Sequence, residues 1–284
     1  MTTPQLLSHI EPLHISSYQL VVKDLDMVSN YYQKVIGLTL LKKEANLHIL
    51  GVDDVALLYL EHISSAQKTT PKAAGLFHTA YLVPSRLDLA KVLDHLIKNR
   101  YPVSGASDHL VSEALYLNDP EGNGIEIYVD RPHDQWPYDK DGVVMDTLPM
   151  DIEGILKELP PNFTWSGMPT GTRIGHIHLQ VGKLNSAQNF YQEILGLNLQ
   201  ETYPGSLFFG AGKYHHHIAT NIWNSNGAST KALNSTGLKE FTLNIKDEVL
   251  KSGLINRIRS NNIEITKEND KALIHDPWNI RIAF

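Results

Sequence analysis

Leu20-Val21-Val22-Lys23-Asp24-Leu25, Tyr31-Tyr32 and Val35-Ile36-Gly37-Leu38 return 159 residues later as Leu179-Gln180-Val181-Gly182-Lys183-Leu184, Phe190-Tyr191 and Ile194-Leu195-Gly196-Leu197. Each copy reads as a strand with alternating apolar positions, then a helix carrying an aromatic pair, then a glycine stop. Gly37 and Gly196 stand where a helix end favours a left-handed residue. A second unit also recurs: Gly75 to Val83 reappears as Gly237 to Ile245. Helices are expected after it near Arg86–Asn99 and Asp247–Arg259. Each unit closes on a turn and a last strand, at Asp119-Pro120-Glu121-Gly122-Asn123-Gly124 and at Asp276-Pro277-Trp278-Asn279. The chain therefore divides into four units of strand, helix and several strands, an internal duplication on a scale that is hard to get by chance.

Length and composition narrow the function. A chain of 284 residues with 42% hydrophobic and 20% charged residues reads as a soluble globular protein of about two domains. No apolar run approaches a membrane span, and Met1–His9 lacks the pattern of a secretory signal. A net charge of −6 gives no electrostatic footprint for nucleic acid. Cysteine is absent, so any metal must rest on His, Asp and Glu. A cytoplasmic location is expected, and a homo-oligomer is compatible with the sequence.

Tyr214-His215-His216-His217-Ile218-Ala219-Thr220-Asn221 places three histidines in what is predicted as a buried strand. Alternation puts His215 and His217 on one face and His216 on the other. No Asp or Glu occurs from Thr202 to Lys239, which leaves these imidazoles without an acidic partner nearby in sequence. A single strand histidine is more often a hydrogen-bonded core residue than a functional one. Three in succession, beside the repeat, point to the wall of an active site.

Asp108-His109-Leu110-Val111-Ser112-Glu113-Ala114-Leu115-Tyr116, Gly175-His176-Ile177-His178-Leu179 and the three-histidine segment together resemble the vicinal oxygen chelate superfamily. Within it, the likeness is to the two-domain catechol 2,3-dioxygenases of the type I extradiol class, from about Ile15 to Phe284. The resemblance implies an α+β fold, four βαβββ modules forming two cupped mixed β-sheet domains around a metal. The two halves span residues 10–132 and 172–284, joined by a Pro-, Asp- and Gly-rich linker, 133–171, with a short helix near Ile152–Leu159.

The superfamily places metal ligands on a module's first strand and a carboxylate on its last. The first-strand positions are Ser17, His78, His176 and Glu240, and the last-strand residues are Glu126 and Arg281. Pairing the second module with the third assembles His78, His176 and Glu126, two imidazoles and one carboxylate, which suits Fe(II) with three open positions, or Mn(II). Pairing the first with the fourth leaves Ser17, Glu240 and Arg281, a poor cation site. The non-sequential pairing is the one expected here. It implies an extradiol ring-opening enzyme taking a small aromatic catechol and O2. The resemblance maps the acid–base histidine onto His216, with His217 competing, and an active-site tyrosine onto Tyr116. His109 is a further candidate for the pocket wall. Tyr203, Phe208 and Phe209 read as ring pocket or core, and Trp223 and Trp278 as core. A glyoxalase-type lyase or isomerase and a non-enzymatic antibiotic-binding protein are the alternatives within the superfamily.

Overall fold

A computed structural model describes residues 12–284 except 141 and 269. The N-terminal stretch Met1–His9 and the first residues of the first half therefore lie outside the described residues.

The four modules all run strand, helix, three strands. The first is Leu13–Val22, a helix from Leu25, Thr39–Lys43, Leu47–Val52 and Val55–His62. The second is Gly75–Leu82, helix Arg86–Lys98, Gly105–Asp108, Ser112–Asn118 and Gly124–Asp130. The third is Arg173–Gln180, a helix from Leu184, Asn198–Tyr203, Ser206–Gly210 and Ile218–Asn221. The fourth is Gly237–Ile245, helix Glu248–Ser260, Thr266–Glu268, Lys271–His275 and Arg281–Ala283. The two longest helices start where side chains cap them. Ser85 accepts from the Asp88 amide, and Asp247 from those of Val249 and Leu250.

Both aromatic-pair helices end in a wide π turn, Tyr32–Ile36 and Asn189–Ile194. Leu38 N–H then donates to Tyr32 O (2.9 Å) and Leu197 N–H to Tyr191 O (3.1 Å). Gly37 (φ +88°) and Gly196 (φ +77°) take the left-handed conformation that such an exit requires.

Neither sheet is built from one half of the sequence. One has eight strands and joins the fourth module to the first, with Gly237–Ile245 antiparallel to Leu13–Val22 at the seam. The other has nine and joins the third module to the second, with Arg173–Gln180 antiparallel to Gly75–Leu82. This is the pairing expected from the ligand positions. One apolar core runs between the sheets, and the fully buried Tyr18 and Tyr81 hydroxyls meet across it at 2.7 Å. No helix among the described residues is long and apolar enough to cross a membrane.

The linker is more than a connection. It forms the short helix Ile152–Leu156, and Leu148–Pro149 adds a ninth strand beside Gly105–Asp108. Trp136 and Val143 bury against Val111 and Tyr214, so the linker is sewn to the sheet of the second and third modules.

Candidate metal centre

The site grows out of the seam. Ala80 is fully buried and stands opposite both His176 on the antiparallel side and Glu126 on the parallel side. His78, two residues before Ala80, projects from the same face. A methyl-sized side chain at the centre leaves three larger ones free to converge above it. His78, Glu126 and His176 each offer a ligand atom, all within 4.8 Å of one another. Glycine makes room on either side. A Cβ on Gly124 would lie 2.0 Å from Phe77 O, and one on Gly175 1.8 Å from the Tyr128 hydroxyl.

Donor chemistry fits a divalent cation. Glu126 Oε2 lies 2.9 Å from His78 Nε2 and 3.2 Å from His176 Nε2. The first contact is close but poorly aligned, so His78 Nε2 remains a buried nitrogen without a hydrogen-bond partner. Burial pushes His176 down to about 4, which keeps it neutral at physiological pH, as a ligand must be. Burial opposes ionisation of Glu126, yet the His176 and His78 imidazoles outweigh it and hold the carboxyl well below its usual range. The arrangement is two nitrogens and one anionic oxygen on one face, with the cavity on the other side.

That cavity holds about 320 Å³. His78, Glu126, His176, Tyr116, His109 and His216 all line it. Tyr116 lies directly across the hairpin from Glu126, as the turn between them requires. Burial and the Glu126 carboxylate raise the Tyr116 phenol well above its ordinary value. His109 Nδ1–H donates to Asp146 O (2.7 Å), which leaves Nε2 to accept from the Tyr116 hydroxyl at 2.6 Å.

The three-histidine segment is placed differently from expectation. The strand begins only at Ile218, and His215–His217 form the bend that leads into it. The side chains therefore do not alternate. His215 and His216 touch through their Nδ1 atoms at 2.8 Å. His216 faces the cavity, its ring centroid 4.1 Å from that of His176. His217 turns into the protein, where its Nδ1 accepts from the Ala211 amide, and it does not line the cavity. The missing acid comes from the second module: Asp130 Oδ1 lies 2.9 Å from His215 Nε2 and Oδ2 accepts from the Tyr214 hydroxyl.

Further wall residues escaped the sequence reading. His178 faces His78 across the seam, with ring centroids 4.9 Å apart, and Asn221 Nδ2 donates to its Nε2. A second histidine two places after a candidate ligand is the signal that could have exposed it. Phe77 also lines the cavity, and so does Trp223, which is 46% exposed rather than core. Trp278 is core, and so is Phe209, whereas Tyr203 and Phe208 face the cavity. Met145, Asp146 and Thr147 bring the linker into the wall.

The silent pair of modules looks different. Arg281 stands opposite Glu240 as Gly124 stands opposite His78, so Ala283 occupies the place corresponding to Glu126. Reading Arg281 as the counterpart of Glu126 was off by two residues: both turns close alike, Asp119 N–H to Asn123 O and Asp276 N–H to Ile280 O, so Arg281 answers to Gly124. Arg281 pairs with Glu240 at 3.0 Å and with Glu268 at 2.6 Å.

Fold and site together define a protein of paired βαβββ modules with a candidate metal site at the seam of one sheet. The chain belongs to the Glyoxalase/Bleomycin resistance protein/Dioxygenase superfamily, which it matches over residues 9–127 and 173–282. It is 38% identical over 272 residues, 94% of this chain and 95% of the other, to Catechol-2,3-dioxygenase of Bacillus subtilis (strain 168). In three dimensions it resembles a solved Bacillus subtilis protein (TM-score 0.64, 14% identical, covering 95% of this chain and 84% of that one). It also resembles glyoxalase I of Zea mays (TM-score 0.57, 14% identical, 95% and 91%). These last two likenesses concern the fold.

Proposed function

We propose that this protein is a non-haem Fe(II) extradiol dioxygenase that opens a catechol-type ring with O2, with Mn(II) as a workable substitute. The observation that carries the reading is the convergence of His78, Glu126 and His176 at the floor of an aromatic-walled cavity. The 38% identity to a catechol-2,3-dioxygenase over nearly the full length supports it. A divalent iron held by these three side chains would supply the redox chemistry between ring and O2.

The chain's own residues do the rest. Phe77, Phe208 and Trp223 offer faces against which a flat ring packs. Tyr116 gives its proton to His109 Nε2, which leaves its hydroxyl oxygen to accept from a catechol hydroxyl. His216 is the acid–base group. Burial pushes it well below its ordinary value, so it is a neutral base at physiological pH. Asp130 fixes which of its nitrogens works. A carboxylate accepts, so His215 carries its proton on Nε2 and its Nδ1 is an acceptor. His216 then donates from Nδ1, leaving Nε2 bare to take a catechol proton.

The glyoxalase-type reading requires a fourth protein ligand. His178 lies opposite Ala219 as Ala80 lies opposite Glu126, so a methyl group stands where that ligand would be. The cysteine-free sequence suits a cytoplasmic enzyme. Anaerobic Fe(II) reconstitution followed by catechol and O2 tests the function. A yellow ring-cleavage product with matching O2 uptake is expected, and its absence with fully iron-loaded protein would refute the reading.

A further inference from the structure

A second cavity, of about 220 Å³, lies in the other sheet, at the start of the strand Gly237–Ile245 and beside the turn after Asp276. Lys231, Lys239 and Arg281 line it with His275 and Asn279, and among the described residues no carboxylate does. Two of the three cations are balanced from behind. Lys239 meets Glu61 at 2.7 Å, and Arg281 meets Glu240 and Glu268.

Lys231 is not balanced. Its side chain is in the wall of the cavity with the residue only 7% exposed, and among the described residues it makes no ion pair. Its Nζ donates to Ser235 O at 3.2 Å, whereas an ammonium has three protons to give. Its backbone is held fast, N–H to Trp278 O (3.0 Å) and O from Asn279 Nδ2 (3.1 Å). Nearby, Arg281 Nε is buried with no hydrogen-bond partner. A buried charge without a counter-ion is costly, as is an unsatisfied buried donor. Burial alone pushes Lys231 down to about 8, which leaves it mostly protonated at neutral pH.

We infer that this cavity is a binding site for a small oxyanion of the carboxylate or phosphate type, held by Lys231 with Arg281, Lys239 and Asn279. An oxyanion supplies what Lys231 lacks, a negative charge and acceptors for its remaining protons, and the Arg281 guanidinium in the same wall adds to the attraction. The site is separate from the metal centre, since it lies in the sheet of the first and fourth modules. It does not depend on the reaction proposed above.

The test uses the full, metal-loaded chain. Calorimetric titration with inorganic phosphate and with acetate, each against sodium chloride of equal ionic strength, should show saturable binding of at least one oxyanion. The same oxyanion should raise the melting temperature as its concentration rises. Whichever binds identifies the class. Lys231→Met should weaken that binding by roughly thirtyfold or more, since a buried charge partner is removed. Failure of both oxyanions to bind the wild type, or undiminished binding by Lys231→Met, overturns the inference. Should that variant not fold, wild-type crystals soaked in selenate should show an anomalous peak beside Lys231. No peak there overturns it, and so does a peak without saturable binding in solution, which would mark binding at crystal concentration only.

Discussion

Asp130 Oδ1 and His215 Nε2 lie 2.9 Å apart although 85 residues separate them in the chain. The contact closes a line from Asp130 through His215 to His216 and ends in the cavity. It also spans the two halves of the sequence, so the proposed acid–base histidine of one module takes its orientation from another. His216→Ala should keep the metal and lose turnover by about 10²–10⁴-fold. Asp130→Asn should lower kcat less, because the imidazole stays and only its preferred tautomer is relaxed. Metal analysis beside steady-state kinetics checks both. Loss of metal in His216→Ala would make that residue a ligand and refute the role.

Charge on the substrate ring should matter. Asp146 and Glu201 line the cavity, and among the described residues no Lys or Arg does. A ring bearing a carboxylate meets like charge there, which costs affinity. We expect kcat/KM for catechol to exceed that for a carboxylated catechol by about tenfold or more. Glu201→Gln should narrow the gap. Equal rates for both rings would contradict this account of the wall.

The silent pair of modules should be dispensable for chemistry. Arg281 and Glu240 have side chains 21% and 15% exposed, so removing the guanidinium strands a mostly buried carboxylate. Arg281→Ala should lower stability by about 1–3 kcal/mol and leave metal content unchanged. A variant that melts normally but no longer binds metal would show that the centre lies in the wrong sheet.

Stability should vary with pH through Asp276. It is buried, its Oδ1 accepts from the Trp278 and Ile280 amides, and its Oδ2 accepts from the Tyr191 hydroxyl. Burial raises it from 3.8 to about 6. The folded state thus binds the proton more tightly than the unfolded one. Its favourable contribution is complete below about pH 4 and is lost as pH rises through 6, by about 3 kcal/mol in total. Asp276→Asn keeps a carbonyl for both amides and removes the titration. Its stability relative to wild type should therefore rise between pH 4 and pH 7. A difference that stays constant over that range would refute the assignment.

The repeat made most of this architecture legible. Strand, helix and glycine recur at fixed spacing, which locates equivalent positions in the four modules. The resemblance to the superfamily says which of those positions hold ligands, and so pointed to His78, Glu126 and His176 and to the modules that pair. Other features depend on contacts between distant segments, which periodicity does not carry. The bend at His215–His217 arises where Ala211 N–H binds His217 and Asp130 binds His215, so the strand starts late. Trp223 reads as core by its chemistry, yet it sits at the rim of a cavity whose opposite wall is the linker. The linker itself looked like a spacer, because its Pro and Gly content says nothing of Trp136 packing on His215.

The most direct measurement of the central claim is anomalous diffraction at the iron edge, from crystals loaded anaerobically with Fe(II) and catechol. The account predicts one iron peak per chain, bounded by His78, Glu126 and His176, with ring density between it and His216. Iron in the sheet of the first and fourth modules, or a catechol bound away from the metal, would contradict it.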